Sequence, residues 1–307
     1  RLIDAEDSLY WVVAPNTEGW QKAWNEASKY FVYDSSVLKN DSIQQYWTTH
    51  ALMSDAVFNL RDQRSTEDSL VSVPYLSWRR QLYVPGKPIS HVFHKPFAEG
   101  GILNGAAKIS CSNGVLYKVD EWPFTPEQTY LQPIWTEGER VDLITEYNDK
   151  LCSYNVRREV GDSISEDSYL QIVPSTSTAN WTITFRLNNN LAADYDVCAV
   201  LLPKTVSNAN DTDLRPCKFR ATIKYADATG KMQEFNCNKT TFVSDPEKVD
   251  TIVLAENFHF PVCNYDQSAI KSTVTLTCYI SAKETSRYDR EMYLDCIYLR
   301  PRISKAE

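Results

Sequence analysis

The stretch ILNGAAKISCSNGVLYKVDEW, residues 102–122, carries two Asn-Gly pairs nine residues apart, Asn104-Gly105 and Asn113-Gly114. Such pairs mark either a tight turn or a glycine-rich loop around phosphate. A phosphate loop runs strand, GxGxxG, helix, with the positive helix end on the ligand. Here Asn113-Gly114 opens into VLYKVDEW, where Val115, Tyr117 and Val119 alternate with Lys118 and Asp120. Alternation is the period of a strand, and the lysine of a P-loop is missing. Both pairs therefore read as turns, since Asn and Gly tolerate the positive φ of a tight hairpin.

Upstream, YWVVAP (10–15) reads as a strand stopped by Pro15. Asn16 can cap a helix through residues 18–33, with Glu18 near its positive end. A second helix is expected over residues 41–63, where Tyr46, Trp47, His50 and Met53 recur at helical spacing. Residues 126–140 hold two prolines and no period, and read as a connection carrying Trp135. Beyond it nearly everything alternates: VDLITEY (141–147), SYLQIVP (168–174), NWTITFRL (180–187), STVTLTCYISA (272–282) and MYLDCIYLRP (292–301) are five of ten candidate strands. Short strands separated by Asn, Asp, Ser, Gly and Pro predict a sandwich or jelly roll.

Composition narrows the function. The chain has 307 residues, a net charge of -8 and 43% apolar residues. An acidic chain lacks the basic face that nucleic-acid phosphates require, so no nucleic-acid partner is expected. No apolar run reaches transmembrane length. The eight cysteines include no CxxC pair, and Cys217, Cys278 and Cys296 fall on apolar strand faces, as buried free thiols do, while the even count leaves disulfides open.

No Ser/His/Asp or Cys/His motif is visible, so no catalytic residue, cofactor or metal is assigned and no enzymatic activity is expected. His91 and His94 are three apart on an extended segment and face opposite sides, which disfavours a metal. Carboxylate pairs such as Glu137/Glu139 and Asp194/Asp196 read as solvated strand or loop positions. The remaining lead is aromatic. Trp78, Tyr83 and Trp135 stand beside polar residues or in the connection, where an exposed ring can stack on a sugar.

Three blocks occur in order: YWVVAPNTEGW (10–20), YWTTHALMS (46–54) and the opening stretch. Together they resemble the fasciclin (FAS1) family. The resemblance makes Pro15, Asn16, His50, Asn104, Gly105, Asn113, Gly114 and Asp120 structural motif positions, with His50 a buried structural histidine. The Asn16-Thr17 order is reversed from the family's, and the helices that precede its first strand are absent. The later strands resemble the β-sandwich that accompanies fasciclin domains in exported lipoproteins of gut anaerobes.

The expected fold is thus an α+β fasciclin-like domain (1–126), a connection (127–140) and an all-β, carbohydrate-binding-module-like sandwich (141–307). The expected function is a non-catalytic cell-surface binding or adhesion protein that captures glycans for a polysaccharide-uptake system. Its alternative is a scaffold of a surface complex. Partners would be polysaccharide or surface-complex proteins, with membrane attachment only through a lipid anchor outside this chain, at the outer membrane.

Overall fold

A computed structural model describes residues 9–53, 55–61, 65–72, 91–159, 164–237 and 241–302. The chain divides into two units, residues 1–33 with 37–132, and residues 34–36 with 133–307.

The first unit is built on β1 (Tyr10–Pro15), α1 (Thr17–Ser28), α2 (Asn40–Met53), β2 (Val57–Asn59), β3 (Ser69–Val71), β4 (Val92–His94), β5 (Ala107–Cys111) and β6 (Gly114–Val119). Its main sheet runs β2-β1-β6-β5, and β3 pairs with β4. The β1–β6 pairing is parallel, from Tyr10 opposite Gly114 to Pro15 opposite Val119. Proline ends β1, and Asn16 then caps α1: its Oδ1 accepts from Gly19 N at 2.8 Å. The Asn16 Nδ2 also donates to Asp120 Oδ1 at 3.4 Å, tying the helix start to the end of β6. Trp11, Val13, Phe58, Leu70, Phe93, Leu103, Tyr117 and Phe124 form the core.

The opening stretch is a hairpin of β5 and β6, with Cys111 opposite Gly114. Gly105 supplies a left-handed turn residue at φ 73°. Asn113 and Gly114 have no positive φ. Gly114 serves close approach instead, since a Cβ there would lie 1.9 Å from the Tyr10 carbonyl oxygen.

The second unit contains β7 (Ile134–Glu137), β8 (Ile144–Tyr147), β9 (Cys152–Arg158), β10 (Ser168–Pro174), β11 (Thr182–Arg186), β12 (Asp194–Leu201), β13 (Lys218–Ala226), β14 (Met232–Asn236), β15 (Phe242–Val243), β16 (Asp250–His259), β17 (Ser272–Cys278) and β18 (Met292–Pro301). They make two six-stranded sheets. One runs β16-β12-β18-β10-β9 with β7 on β18; the other runs β14-β13-β17-β11-β8 with β15 on β13. Inward positions fill the space between the sheets: Trp181, Ile183, Phe185, Tyr195, Phe219, Leu276 and Ile297 are fully buried. The indole of Trp181 keeps a partner there, donating to Arg290 O at 2.6 Å. All eight cysteines are free; six are buried, Cys237 is partly exposed and Cys111 is exposed.

Two expectations are corrected. The expected α+β fasciclin-like fold gives way to a mainly β protein, with two α-helices among the described residues. Part of the reason is local. The helix expected over 41–63 ends at Met53, and Val57–Asn59 pairs with β1 as a strand, burying Val57 and Phe58. Likewise α1 stops at Ser28, short of the expected residue 33. The segment read as a bare connection contains β7, hydrogen-bonded along β18 from Ile134 to Glu137.

Candidate functional site

The β7–β18 register sets Trp135 opposite Tyr298. Their rings stack at 4.5 Å between centroids and 24° between planes. On either side Ile134 and Thr136 point inward and are buried, while Trp135 stays 39% exposed. One indole face rests on tyrosine and the side chain opens to water.

Polar groups continue from this stack across the sheet. Tyr298 stands opposite Cys198, and Arg300 opposite Asp196 on β12. The Asp196 carboxylate is fully buried. Arg300 donates to its Oδ2 through Nη2 at 2.7 Å, and Arg302 donates to Oδ1 through Nε at 2.7 Å. Asn257 N adds a third donor at 3.0 Å. Burial alone would raise the Asp196 pKa, but these donors outweigh it and hold the carboxyl below its ordinary value. The Arg300 side chain remains 48% exposed, so a pinned guanidinium faces solvent two residues along from Tyr298.

On the other side of Trp135 lies an acid cluster. Glu137 Oε1 accepts from Ser165 Oγ at 3.0 Å, and Asp295 Oδ1 accepts from Ser165 N at 3.0 Å. Cys296 Sγ donates to Asp295 Oδ2 at 3.6 Å. The Oε2 atoms of Glu137 and Glu139 are buried and have no hydrogen-bond partner among the described residues. Gly138 between them must be glycine: a Cβ would sit 2.6 Å from Leu294 O. Burial, then repulsion from the other acids, lifts Glu137 to about 7. Burial lifts Glu139 to about 7, with Asp295 and Glu166 adding to it, and burial lifts Asp295 to about 6. Of the carboxylates read as solvated, Asp194 is partly exposed on His259, whereas Glu137 and Glu139 are half-buried with raised pKa values and Asp196 is a buried ion. No group of three or more His, Cys, Asp or Glu among the described residues is placed to hold a metal.

Of the expected ligand contacts, Trp78 and Tyr83 lie outside the described residues. Trp135 is the one the described structure locates. The expected motif residues all fall in the first unit. Pro15, Asn16 and Asp120 meet where β1 and β6 end. Asn104 and Gly105 form a turn, and Asn113 and Gly114 close the β5–β6 hairpin. His50 sits half-buried on α2 against Trp47 at 5.3 Å, and burial lowers its pKa. His91 pairs with buried Asp55 at 2.8 Å.

Sequence reasoning missed Tyr298 and Arg300, and it read Asp196 as solvated where the structure buries it. In MYLDCIYLRP strict alternation puts residues 292, 294 and 296 on one face with 298 and 300. The ladder to β12 shifts register instead, passing from Val200 opposite Cys296 to Leu201 opposite Leu294. The bulge at Asp295 breaks the alternation that would have flagged the exposed Tyr298–Arg300 pair.

No family model matches the chain, and no curated protein matches it. The fasciclin resemblance is withdrawn on that finding and on the mainly β architecture. Solved structures similar to the chain include the xylan-binding domain from CBM 22, at 10% identity and TM-score 0.32, covering 54% of this chain and 92% of that one. A family 35 carbohydrate-binding module from Clostridium thermocellum is similar at 9% identity and TM-score 0.31, covering 55% of this chain and 97% of that one. The CBM22-1–GH10 modules of a C. thermocellum endo-1,4-beta-D-xylanase, complexed with xylohexaose, are similar at 11% identity and TM-score 0.32. That match covers 52% of this chain and 26% of the xylanase structure, so the chain spans about a quarter of its length.

Proposed function

We propose that the chain is a non-catalytic polysaccharide-binding protein and that a sugar ring stacks on Trp135. The observation that carries this is the Trp135–Tyr298 stack, an open indole already held on its far side. A pyranose offers an apolar C–H face to such a ring and hydroxyls to a fixed polar neighbour. Arg300, locked by Asp196, is that neighbour, and a side chain ordered before binding loses little entropy on binding. Against catalysis stands the burial of Glu137 Oε2 and Glu139 Oε2, two carboxylate oxygens without surface for a substrate to reach. Calorimetry across a panel of plant and host polysaccharides tests the proposal. At least one should bind, and Trp135→Ala should weaken it about tenfold or more. Silence across the panel, or unchanged affinity in the variant, overturns it. Display at the cell surface belongs to the same proposal, and protease shaving of intact cells should release peptides of this chain.

A second reading, a scaffold within a surface complex, draws on the first unit. Tyr46 and Met53 on α2, 60% and 41% exposed, line one shallow surface depression. Exposed apolar side chains in one neighbourhood mark protein contact surfaces. Crosslinking in native membranes separates the readings: crosslinks from this face to a partner favour the scaffold.

A further inference from the structure

Strand β13, KFRATIKYA, buries Phe219, Ala221 and Ile223 and so turns Lys218, Arg220, Thr222 and Lys224 to the outer face of its sheet. Beside it β17 sets Thr277 opposite Arg220, Thr275 opposite Thr222 and Thr273 opposite Lys224. One strand farther, Thr182, Thr184 and Arg186 of β11 continue the same three rows. A chain of net charge -8 thus carries a face of cations and hydroxyls, on the sheet that does not hold Trp135.

The acids nearest these cations are Glu284 and Glu234, while Glu146 stands at the far edge opposite Thr184. Lys218 is buried and bonded to Glu284. Lys224 lies 3.8 Å from Glu234, each half exposed, and so loose a pair yields readily to a ligand. Arg220 has neither a carboxylate nor a hydrogen-bond acceptor among the described residues. Its guanidinium carbon sits 3.5 Å from the centre of the Tyr279 ring, a cation–π contact that holds the group in place. Nε is shut in, whereas Nη1 and Nη2 at the end of the fork keep accessible surface. Beside them the Thr277 hydroxyl accepts from Thr182 Oγ1 at 3.4 Å and still has its own proton to donate.

A fork pinned on tyrosine with its end free is built to take a carboxylate through both Nη groups. We propose that this face binds an acidic polysaccharide, with one uronate carboxylate on Arg220, another on Lys224, and sugar hydroxyls on Thr222 and Thr277. Arg220 and Lys224 stand about 13 Å apart along the strand, a span that a polymer of repeated carboxylates meets and a small anion does not. An acidic peptide finds no open backbone edge here, because β13 is paired with β17 on one side and with β14 and β15 on the other. With Glu234 and Glu284 in place, the surplus of positive charge is too small for nucleic acid. The face lies beyond the Trp135 reading and does not rest on it.

Polygalacturonate and its methyl ester share a backbone and differ in charge, so calorimetry of the full chain with each isolates the carboxylate. Polygalacturonate should bind, more weakly as salt rises, and the ester should bind about tenfold more weakly still. Arg220→Gln should cost about tenfold for polygalacturonate, and Trp135→Ala should cost nothing. Lys224→Gln, at a half-exposed position, should cost about threefold, which keeps the site testable apart from any effect on folding. No binding of polygalacturonate by the unmodified chain, or equal affinity for the ester, overturns the proposal without recourse to a variant. Tighter binding of dextran sulfate overturns the carboxylate assignment, and unchanged affinity in both Arg220→Gln and Lys224→Gln overturns the site. A polysaccharide that loses affinity in Trp135→Ala but not in Arg220→Gln belongs to the Trp135 platform, so the two readings fail separately.

Discussion

Trp135 and Tyr298, far apart in sequence, lie ring on ring at 4.5 Å because β7 is laid along β18. Tyr298 is the buttress of that pair and Trp135 the exposed face. Tyr298→Ala should therefore weaken polysaccharide binding almost as much as Trp135→Ala, although Tyr298 lies under the ring. The stacked pair contributes about 0.5–1.5 kcal/mol beyond its buried area. The double variant should fall well short of the summed effects, since both remove one platform. Calorimetry on the three variants checks this, and additive losses would mean two independent contacts.

The acid cluster predicts an unusual pH dependence. Glu137 and Glu139 titrate near about 7 and Asp295 near about 6 in the fold. Unfolded, such groups titrate at about 4. The folded state binds protons more tightly, so the contribution is fully present below about pH 4 and is lost as pH rises through 6 to 7. Asp227 and Glu284, held at about 2, change stability only below about pH 5, where the unfolded chain takes up protons, and so add almost no slope between pH 5 and 8. His50, lowered by burial, acts in the opposite sense, so the isolating comparison is Glu137→Gln. The variant should melt on the order of 5 °C higher than the unmodified chain at pH 8, and the gap should shrink steadily below pH 7 and close near pH 4. A gap independent of pH would show that Glu137 is not held as described.

Gly19 offers a test with a decisive sign. In an exposed helix Gly→Ala stabilises by about 1 kcal/mol. Here a Cβ would lie 2.2 Å from Asp120 O, a backbone atom that cannot rotate away. Gly19→Ala should destabilise by about 1–3 kcal/mol in urea unfolding, because overpacking outweighs helix propensity. A stabilised variant would mean that α1 does not sit against the end of β6.

Asn16→Ala removes the cap of α1 and the tie to Asp120 together. The cap contributes about 1 kcal/mol. The longer bond to Asp120 is surface-exposed and adds little. Urea unfolding should show a loss near that figure, while Asp120→Ala alone should stay within about 0.5 kcal/mol.

Much of the fold was legible one segment at a time. SYLQIVP and MYLDCIYLRP are strands with the boundaries their alternation indicates, and Pro15-Asn16 ends a strand and caps a helix as local chemistry requires. These signals depend on the side-chain period and on backbone groups a few residues apart. The helical run through residue 63 was misread for the same reason: periodicity cannot register that Val57 and Phe58 gain more by pairing with β1. Gly114 was expected to supply a turn angle and instead admits the backbone of Tyr10, a neighbour that no local pattern contains.

The site divides along that line. From the chain alone came the β-rich architecture of the later residues, the aromatic lead at Trp135 and the absence of a recognisable catalytic motif. Tertiary structure alone decided that Trp135 stacks on Tyr298, with Arg300 two residues farther along β18. It also decided that Asp196 is a buried ion, and that Glu137, Glu139 and Asp295 come together with carboxyls raised above their ordinary range. Strand identity follows from local periodicity, whereas pairing, burial and the electrostatics of a buried group depend on which distant strands the hydrophobic core brings together.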